Sequence, residues 1–405
     1  MRAVFYLVRE PQASVGERET PSWRAARCQR LCVLDSWEGA GAVSARNCST
    51  AATTAAASLS EVGCVSNRIS GLGGRRSPFL DIAGHSNLAP VAKVPVLNAE
   101  AVMAAVKPAQ AIERVRLAFE RFAAGEWVMP SKVYLDAPPN GDFRAMPSRG
   151  DGFAALKWVT SFPGNSTRGL PVVTGALILS NAESGELMAI VDCAAITSLR
   201  TGAAAALSAQ VLGSPDARSV GIVGCGVNGA WSARCLAAAG YGPGICADVR
   251  PQSAEALAAE LGWAVGSRAE AASEDVVVTV TPGNEPVVLE SDVRARQHIA
   301  ALGADAKGKS EVELAALRHC SLFCDEWAQA SAGGELSGAV AKGTVTRQHV
   351  TELGDVMSGR SPGRGSAEEI TLFDSTGLAI QDLGIAIAVY EAWRENRVDA
   401  ELVTL

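Results

Sequence analysis

Histidine is scarce in this chain. Among 405 residues there are four, His85, His298, His319 and His349, and no H-E-x-x-H pair on which a zinc hydrolase could be built. The nearby histidines do not complete a zinc pattern with the four-residue steps Cys28/Cys32 and Cys320/Cys324, so no metal site is expected. No G-x-S-x-G stands at a strand-to-helix turn to support a Ser-His-Asp hydrolase. Basic charge is also short: the net charge is −7, which argues against a nucleic-acid partner. Apolar runs stop well before the ~20 residues of a membrane span, because Arg, Glu or Gly interrupts the alanine-rich stretches. Lysine is missing from residues 1–92, which are rich in Arg, Ser, Ala and Thr and show no sustained periodicity.

That first segment is set apart from the fold argument. An Arg- and Ser-rich composition suits an organelle transit peptide, but Glu17, Glu19, Asp35, Glu38 and Glu61 spoil the fit. A start site placed too far upstream is the favoured alternative, with residues 1–92 disordered and the protein cytoplasmic. The whole chain is 48% hydrophobic and 20% charged, the balance of a soluble globular protein, and its 405 residues are long enough for two or three domains. Such a chain needs no disulfides to build a core. Cys225, Cys235 and Cys246 stand in apolar settings and read as buried free thiols.

The chain is organised around Ser219-Val-Gly-Ile-Val-Gly-Cys-Gly-Val-Asn-Gly. Val220–Val223 predicts a buried strand, and Gly224, Gly226 and Gly229 have G-x-G-x-x-G spacing before an alanine-rich helix. The first glycine permits the turn, the second admits a pyrophosphate, and the third lets helix and strand pack closely. Val227 and Asn228 open the helix, whose N-terminal N–H groups attract phosphate. A second strand ends at Asp248, about 20 residues on, where a ribose-binding acid belongs. These features predict dinucleotide binding. Asp248 favours NAD over NADP, although Arg250 beside it leaves room for a 2′-phosphate.

Before this stretch, Val94–Leu97 predicts an edge strand, Asn98 a helix cap, and Pro108 the start of a helix carrying Ile112, Val115, Phe119 and Phe122. Strands follow around Lys132–Leu135, Phe143–Met146, Phe153–Val159, Val172–Leu179 and Leu187–Asp192, as in a mixed or antiparallel sheet. A long helix is expected from Thr197 to Leu212. After the glycine turn, strands and helices alternate. One strand, Asp275–Val280, ends at Thr281, where strand ends face a cofactor. A later strand, Ile370–Asp374, leads through Ser375, Thr376 and Gly377 into an apolar helix from Leu378 to Trp393. The fold class is therefore α/β. Residues 205–375 are read as a Rossmann domain, and residues 93–204 as a smaller α+β domain to which 376–405 return.

Seven blocks carry a family resemblance: Met129-Pro-Ser-Lys-Val-Tyr-Leu, Gly141-Asp-Phe-Arg-Ala-Met-Pro, Leu156-Lys-Trp-Val, Gly169-Leu-Pro, Ser198-Leu-Arg-Thr-Gly-Ala-Ala, Gly303-Ala-Asp-Ala-Lys-Gly-Lys-Ser-Glu and Phe373-Asp-Ser-Thr-Gly-Leu-Ala-Ile-Gln-Asp. From Val94 onward the chain resembles the ornithine cyclodeaminase/mu-crystallin family. That family includes archaeal-type alanine dehydrogenases, ornithine and lysine cyclodeaminases, cyclic ketimine reductases and a thyroid-hormone-binding lens protein. The first two blocks and Arg200-Thr-Gly-Ala-Ala are most similar to the alanine dehydrogenase branch. Gly202 leans away from the cyclodeaminases, and Asn228-Gly229 departs from the family's usual Gln-Ala.

The resemblance implies NAD chemistry on a small L-amino or imino acid, in a homodimer formed through the first domain. It implies Lys132, Arg144 and Arg200 as carboxylate-binding groups with Lys157, each at a strand or helix end. Lys157 and Asp305 are the implied catalytic pair, Asp305 taking a proton from the amine or from water. Ser375, Thr376 and Gly377 would line the nicotinamide. After hydride leaves Cα, water can release a 2-oxo acid, or a side-chain amine can close a ring and take the hydride back. A dehydrogenase, a cyclodeaminase, a ketimine reductase and a non-catalytic binding protein are all compatible with these residues, the last least so.

Overall fold

The structure, a computed structural model, describes residues 93–405 apart from 284 and 307, and the expectations for residues 1–92 lie outside it. The chain builds two sheets. It begins with β1 (Lys93–Leu97), α1 (Ala99–Ala105) and α2 (Pro108–Ala123), then runs up and down through β2 (Val133–Ala137), β3 (Gly141–Gly150), β4 (Phe153–Ser161), β5 (Val173–Asn181) and β6 (Leu187–Asp192). Asn98 caps α1 by accepting the Ala101 N–H at 2.9 Å. Helix α2 buries Ile112, Val115 and Phe119 at helical spacing and ends before Gly125, which takes φ +75°.

Strand β1 is not an edge. It lies between β6, to which it is parallel, and the C-terminal strand β15 (Glu401–Thr404), antiparallel to it. The order of this first sheet is β15-β1-β6-β5-β4-β3-β2. Pro95 sits within β1 opposite Leu402. Expectation failed because the four-residue β15 carries no strong alternation that would mark a partner.

Helix α3 (Cys193–Leu212) starts four residues earlier than Thr197, capped by Asp192, whose carboxylate accepts the Ala195 N–H at 2.7 Å. It is buried on nearly every side, so its sequence is apolar all round rather than striped. The second sheet comprises β7 (Val220–Val223), β8 (Gly244–Ala247), β9 (Ala264–Val265), β10 (Val276–Thr279), β11 (His298–Ala301), β12 (Ser321–Cys324), β13 (Val350–Glu352) and β14 (Thr371–Asp374). All its pairings are parallel, in the order β13-β12-β14-β11-β10-β7-β8-β9. Five helices pass between these strands: α4 (Val227–Ala238), α5 (Pro251–Leu261), α6 (Arg268–Ala271), α7 (Trp327–Gly333) and α8 (Ser337–Ala341). Helix α9 (Leu353–Met357) follows β13, and α10 (Ala379–Arg394) follows β14.

The chain builds outward from β7 to β9, then returns to β10 on β7's other side. The glycine turn after β7 therefore stands where strand order reverses, the crevice in which doubly wound sheets bind ligands. Helices α3 and α10 join one continuous core with α2 and both sheets. The fold is a Rossmann-type sheet with a second, mixed sheet. The six described cysteines are free thiols, five of them buried. Among the described residues no helix is long and apolar enough to cross a membrane.

Candidate active site

Residues of the glycine turn are fixed by close backbone approach. Gly224 has φ +98°, and a Cβ there would stand 2.5 Å from the Val280 carbonyl oxygen. At Gly229 a Cβ would collide with the Gly224 carbonyl oxygen, so this chain needs glycine where an alanine was the family expectation. Gly226 caps α4 without a side chain, and a Cβ there would meet nothing nearer than Arg250 Nη2 at 3.8 Å. The first-turn N–H groups of α4, near exposed Val227 and half-buried Asn228, have no side-chain cap. Uncapped N–H groups of this kind suit an anionic pyrophosphate.

Asp248, just beyond β8, accepts the Cys225 N–H at 2.7 Å and the Arg250 N–H at 2.8 Å. Its carboxylate is thus tied to the rim of the turn with lone pairs remaining, and Arg250 Nε is 3.6 Å away on an exposed side chain. Together these residues fit a dinucleotide. Thr281 lies beside Gly224, but its N–H and hydroxyl donate to Glu311 at 2.6 and 2.9 Å.

The four expected cations converge, though not from element ends. Only Lys132 precedes its strand. Arg144 lies inside β3, Lys157 inside β4 and Arg200 midway along α3. Arg144 donates to Asp142 and Asp305 at 2.6 Å each and lies 5.4 Å from the Tyr134 ring centre. Lys309 holds the other oxygen of Asp305 at 2.6 Å. Burial opposes ionisation of Asp305, yet the Arg144 and Lys309 charges win and hold its carboxyl well below the usual range.

Lys132 donates to the Thr376 carbonyl at 2.7 Å. Burial pulls its ammonium down to about 8, against the pull of Asp325 and Asp305. Lys157 is 2% exposed and pairs with Asp382 of α10 at 2.7 Å. Burial lowers it too, partly offset by that carboxylate. Arg200 is 3.4 Å from Asp382, and its Nε, though buried, makes no hydrogen bond.

Three acids escaped the sequence reading. Asp382 sat in plain view in the Gln381-Asp382 block, opposite a lysine already suspected of burial. Glu311, fully buried, accepts from Thr279, Thr281 and Gly303, pinning the ends of β10 and β11 together. Asp325 follows β12 and accepts from Gly377 and Thr376. Its only sequence signal was an acid directly after the short apolar run Leu322-Phe-Cys.

This arrangement has relatives. An alanine dehydrogenase from Archaeoglobus fulgidus is 39% identical over 314 residues, covering 76% of this chain and 97% of that protein. An iminosuccinate reductase from Paracoccus denitrificans is 35% identical over 254 residues, covering 60% and 77%. A solved archaeal alanine dehydrogenase dimer with bound NAD superposes with a TM-score of 0.73 at 38% identity, covering 77% of this chain and 99% of that one. Residues 93–397 match the model of a single family. The chain belongs to the ornithine cyclodeaminase/mu-crystallin family.

Proposed function

We propose that this protein is an NAD-dependent dehydrogenase that oxidises a small, alanine-like L-amino acid to its 2-oxo acid and ammonia. The observation that carries the reading is the convergence of Lys132, Arg144, Lys157 and Arg200 with Asp305 beside the Ser375–Gly377 turn. The archaeal alanine dehydrogenase at 39% identity supports it. Residues 205–375 hold the dinucleotide in this reading, and 93–204 with 376–405 form the substrate and dimerisation part.

Arg200 receives the substrate carboxylate: its Nε is turned to Asp382 at 3.4 Å, while its terminal nitrogens stand against Gly377 of the turn that backs the nicotinamide. Arg144 shares that carboxylate, and in turning to it releases Asp305. Held then by Lys309 alone, Asp305 is a stronger base than the doubly paired one, since one of the two charges that depressed it has moved to the substrate. Lys132, held near 8, is poised to exchange a proton with the amine. NAD, when bound, supplies the acceptor for the Cα hydride. Gly224, Gly226, Val227 and Asn228 seat its pyrophosphate and Asp248 its ribose. Ser375, Thr376 and Gly377 back the nicotinamide.

A second copy of the chain would cover the outer face of the first sheet. Leu156, Trp158 and Ile178 are exposed there on adjacent strands, with Leu156 paired opposite Ile178. Such a patch marks an interaction surface.

The test is absorbance at the reduced-nicotinamide band with NAD and L-alanine, L-ornithine, L-lysine or L-proline in turn. Sustained growth with alanine upholds the dehydrogenase. Ammonia from ornithine or lysine without reduced cofactor replaces it with a cyclodeaminase. Turnover of proline alone would point to a cyclic imine as the natural substrate.

A further inference from the structure

Two of the four cations rest on one three-residue turn, and that turn is held by a single carboxylate. Asp325 is 2% exposed. Its Oδ2 accepts the Gly377 N–H at 2.8 Å, its Oδ1 accepts the Thr376 hydroxyl at 3.1 Å, and the Ser375 hydroxyl lies 3.5 Å from Oδ2. Backbone bonds fix it from behind. Its own N–H donates to the Asp374 carbonyl at 3.0 Å, and its Oδ1 also accepts the Glu326 N–H at 2.8 Å. On the other face of the turn, Lys132 Nζ donates to the Thr376 carbonyl. Gly377, at φ +77°, lies flush against Arg200, so that a Cβ would collide with the guanidinium.

We propose that Asp325 is a positioning residue for substrate binding: by holding the Ser375–Gly377 turn it sets where the Lys132 ammonium and the Arg200 guanidinium stand. It touches no substrate itself in this arrangement. Its charge has a second effect. The groups that face Lys132 are Asp325 and Asp305, which favour its ammonium, and Arg200 and Arg144, which oppose it. Asp325 is in turn pushed up to about 6 by burial, against Lys132 and the turn's donors. Neighbouring Asp374, fully buried with one oxygen unpartnered, is raised well above the carboxylate range. Asp374 is not among the groups that act on Lys132, and Asp325 is the nearer acid that faces it across the turn.

The kinetic part of the inference rests on the dehydrogenase reading, while its charge part does not. The experiment uses the full chain and the variants Asp325→Asn and Thr376→Val. Acetic anhydride labelling of Lys132, followed by peptide mass spectrometry across pH, reads the amine without any turnover. Loss of the Asp325 charge is expected to move half-maximal labelling down by about one pH unit. Thr376→Val keeps the charge and the carbonyl, and should leave that profile in place. In steady state both variants should raise KM for the amino acid by roughly tenfold or more.

An unshifted labelling profile in folded Asp325→Asn overturns the charge role. An unchanged KM in Thr376→Val overturns the positioning role, and that variant decides alone should Asp325→Asn fail to fold. A wild-type chain that reduces no cofactor with any amino acid defeats the dehydrogenase reading, while the labelling comparison still judges Asp325.

Discussion

Lys157 Nζ lies 2.7 Å from Asp382 Oδ2, and the two side chains are 2% and 1% exposed. The lysine comes from the first sheet and the aspartate from the helix that follows the last strand of the second. A buried pair of this kind is costly to break from one side only, because the survivor keeps its charge without a partner. Asp382→Asn should therefore cost roughly 3 kcal/mol or more of stability. The double variant Lys157→Met with Asp382→Leu should lose clearly less. Denaturant titration of the three chains checks the order, and equal losses in both variants would remove the pair from the account.

Asp305 is doubly paired before substrate arrives. Asp305→Asn should leave NAD binding intact, as read by fluorescence, while kcat falls by about 10²–10⁴-fold. Arg144→Lys should act differently, raising KM through loss of the planar fork. If kcat survives in Asp305→Asn, the proton passes elsewhere and Lys132 inherits the role.

Gly229→Ala tests the turn. The added methyl would meet the Gly224 carbonyl oxygen, and overpacking of this kind costs about 1–3 kcal/mol. NAD affinity should fall with stability, because the displaced carbonyl belongs to the cradle itself. Unaltered affinity measured by calorimetry would show that the turn has slack the geometry denies.

His298 supplies a pH signature. It is fully buried between the Ser208 hydroxyl at 3.0 Å and the Thr371 hydroxyl at 2.9 Å. Burial, with the Arg364 charge adding to it, lowers the ring from 6.5 to about 3. Below pH 6.5 the unfolded chain binds a proton there that the folded chain refuses, so stability falls as pH drops from 6.5 toward 3, by up to about 1.4 kcal/mol per pH unit. Glu335, raised to about 7 by burial, works the other way, its contribution being full below 4.5 and lost as pH rises through 7. Comparing wild type with His298→Asn by denaturation across the acid range isolates the histidine. A constant difference between the two curves would count against it.

The sequence showed most clearly what the backbone demands. Glycine spacing, the buried strand before it and the acid after the second strand are local patterns, and the structure places Gly224, Gly226, Gly229 and Asp248 in one rim. Burial of Lys157 was legible because a lysine interrupts an apolar strand. Its partner was not, since Asp382 lies 225 residues away on a helix apolar all round, where no periodicity singles out one position. The same reason hid β15. Asp325 and Glu311 earn their places by accepting backbone N–H groups from distant turns, and no side-chain pattern announces such bonds.

Helix α3 carries Arg200 and, two residues later, Gly202, whose missing side chain lets α3 rest directly on the Trp231 backbone of α4. On the proposed roles, the rod that would present a cation to the substrate is thus bolted to the rod that would present its N-terminus to the cofactor. Any side chain at position 202 acts as a shim between them, tilting both binding surfaces at once. With those roles, tuning for the substrate and tuning for the nucleotide could not proceed as separate adjustments along α3.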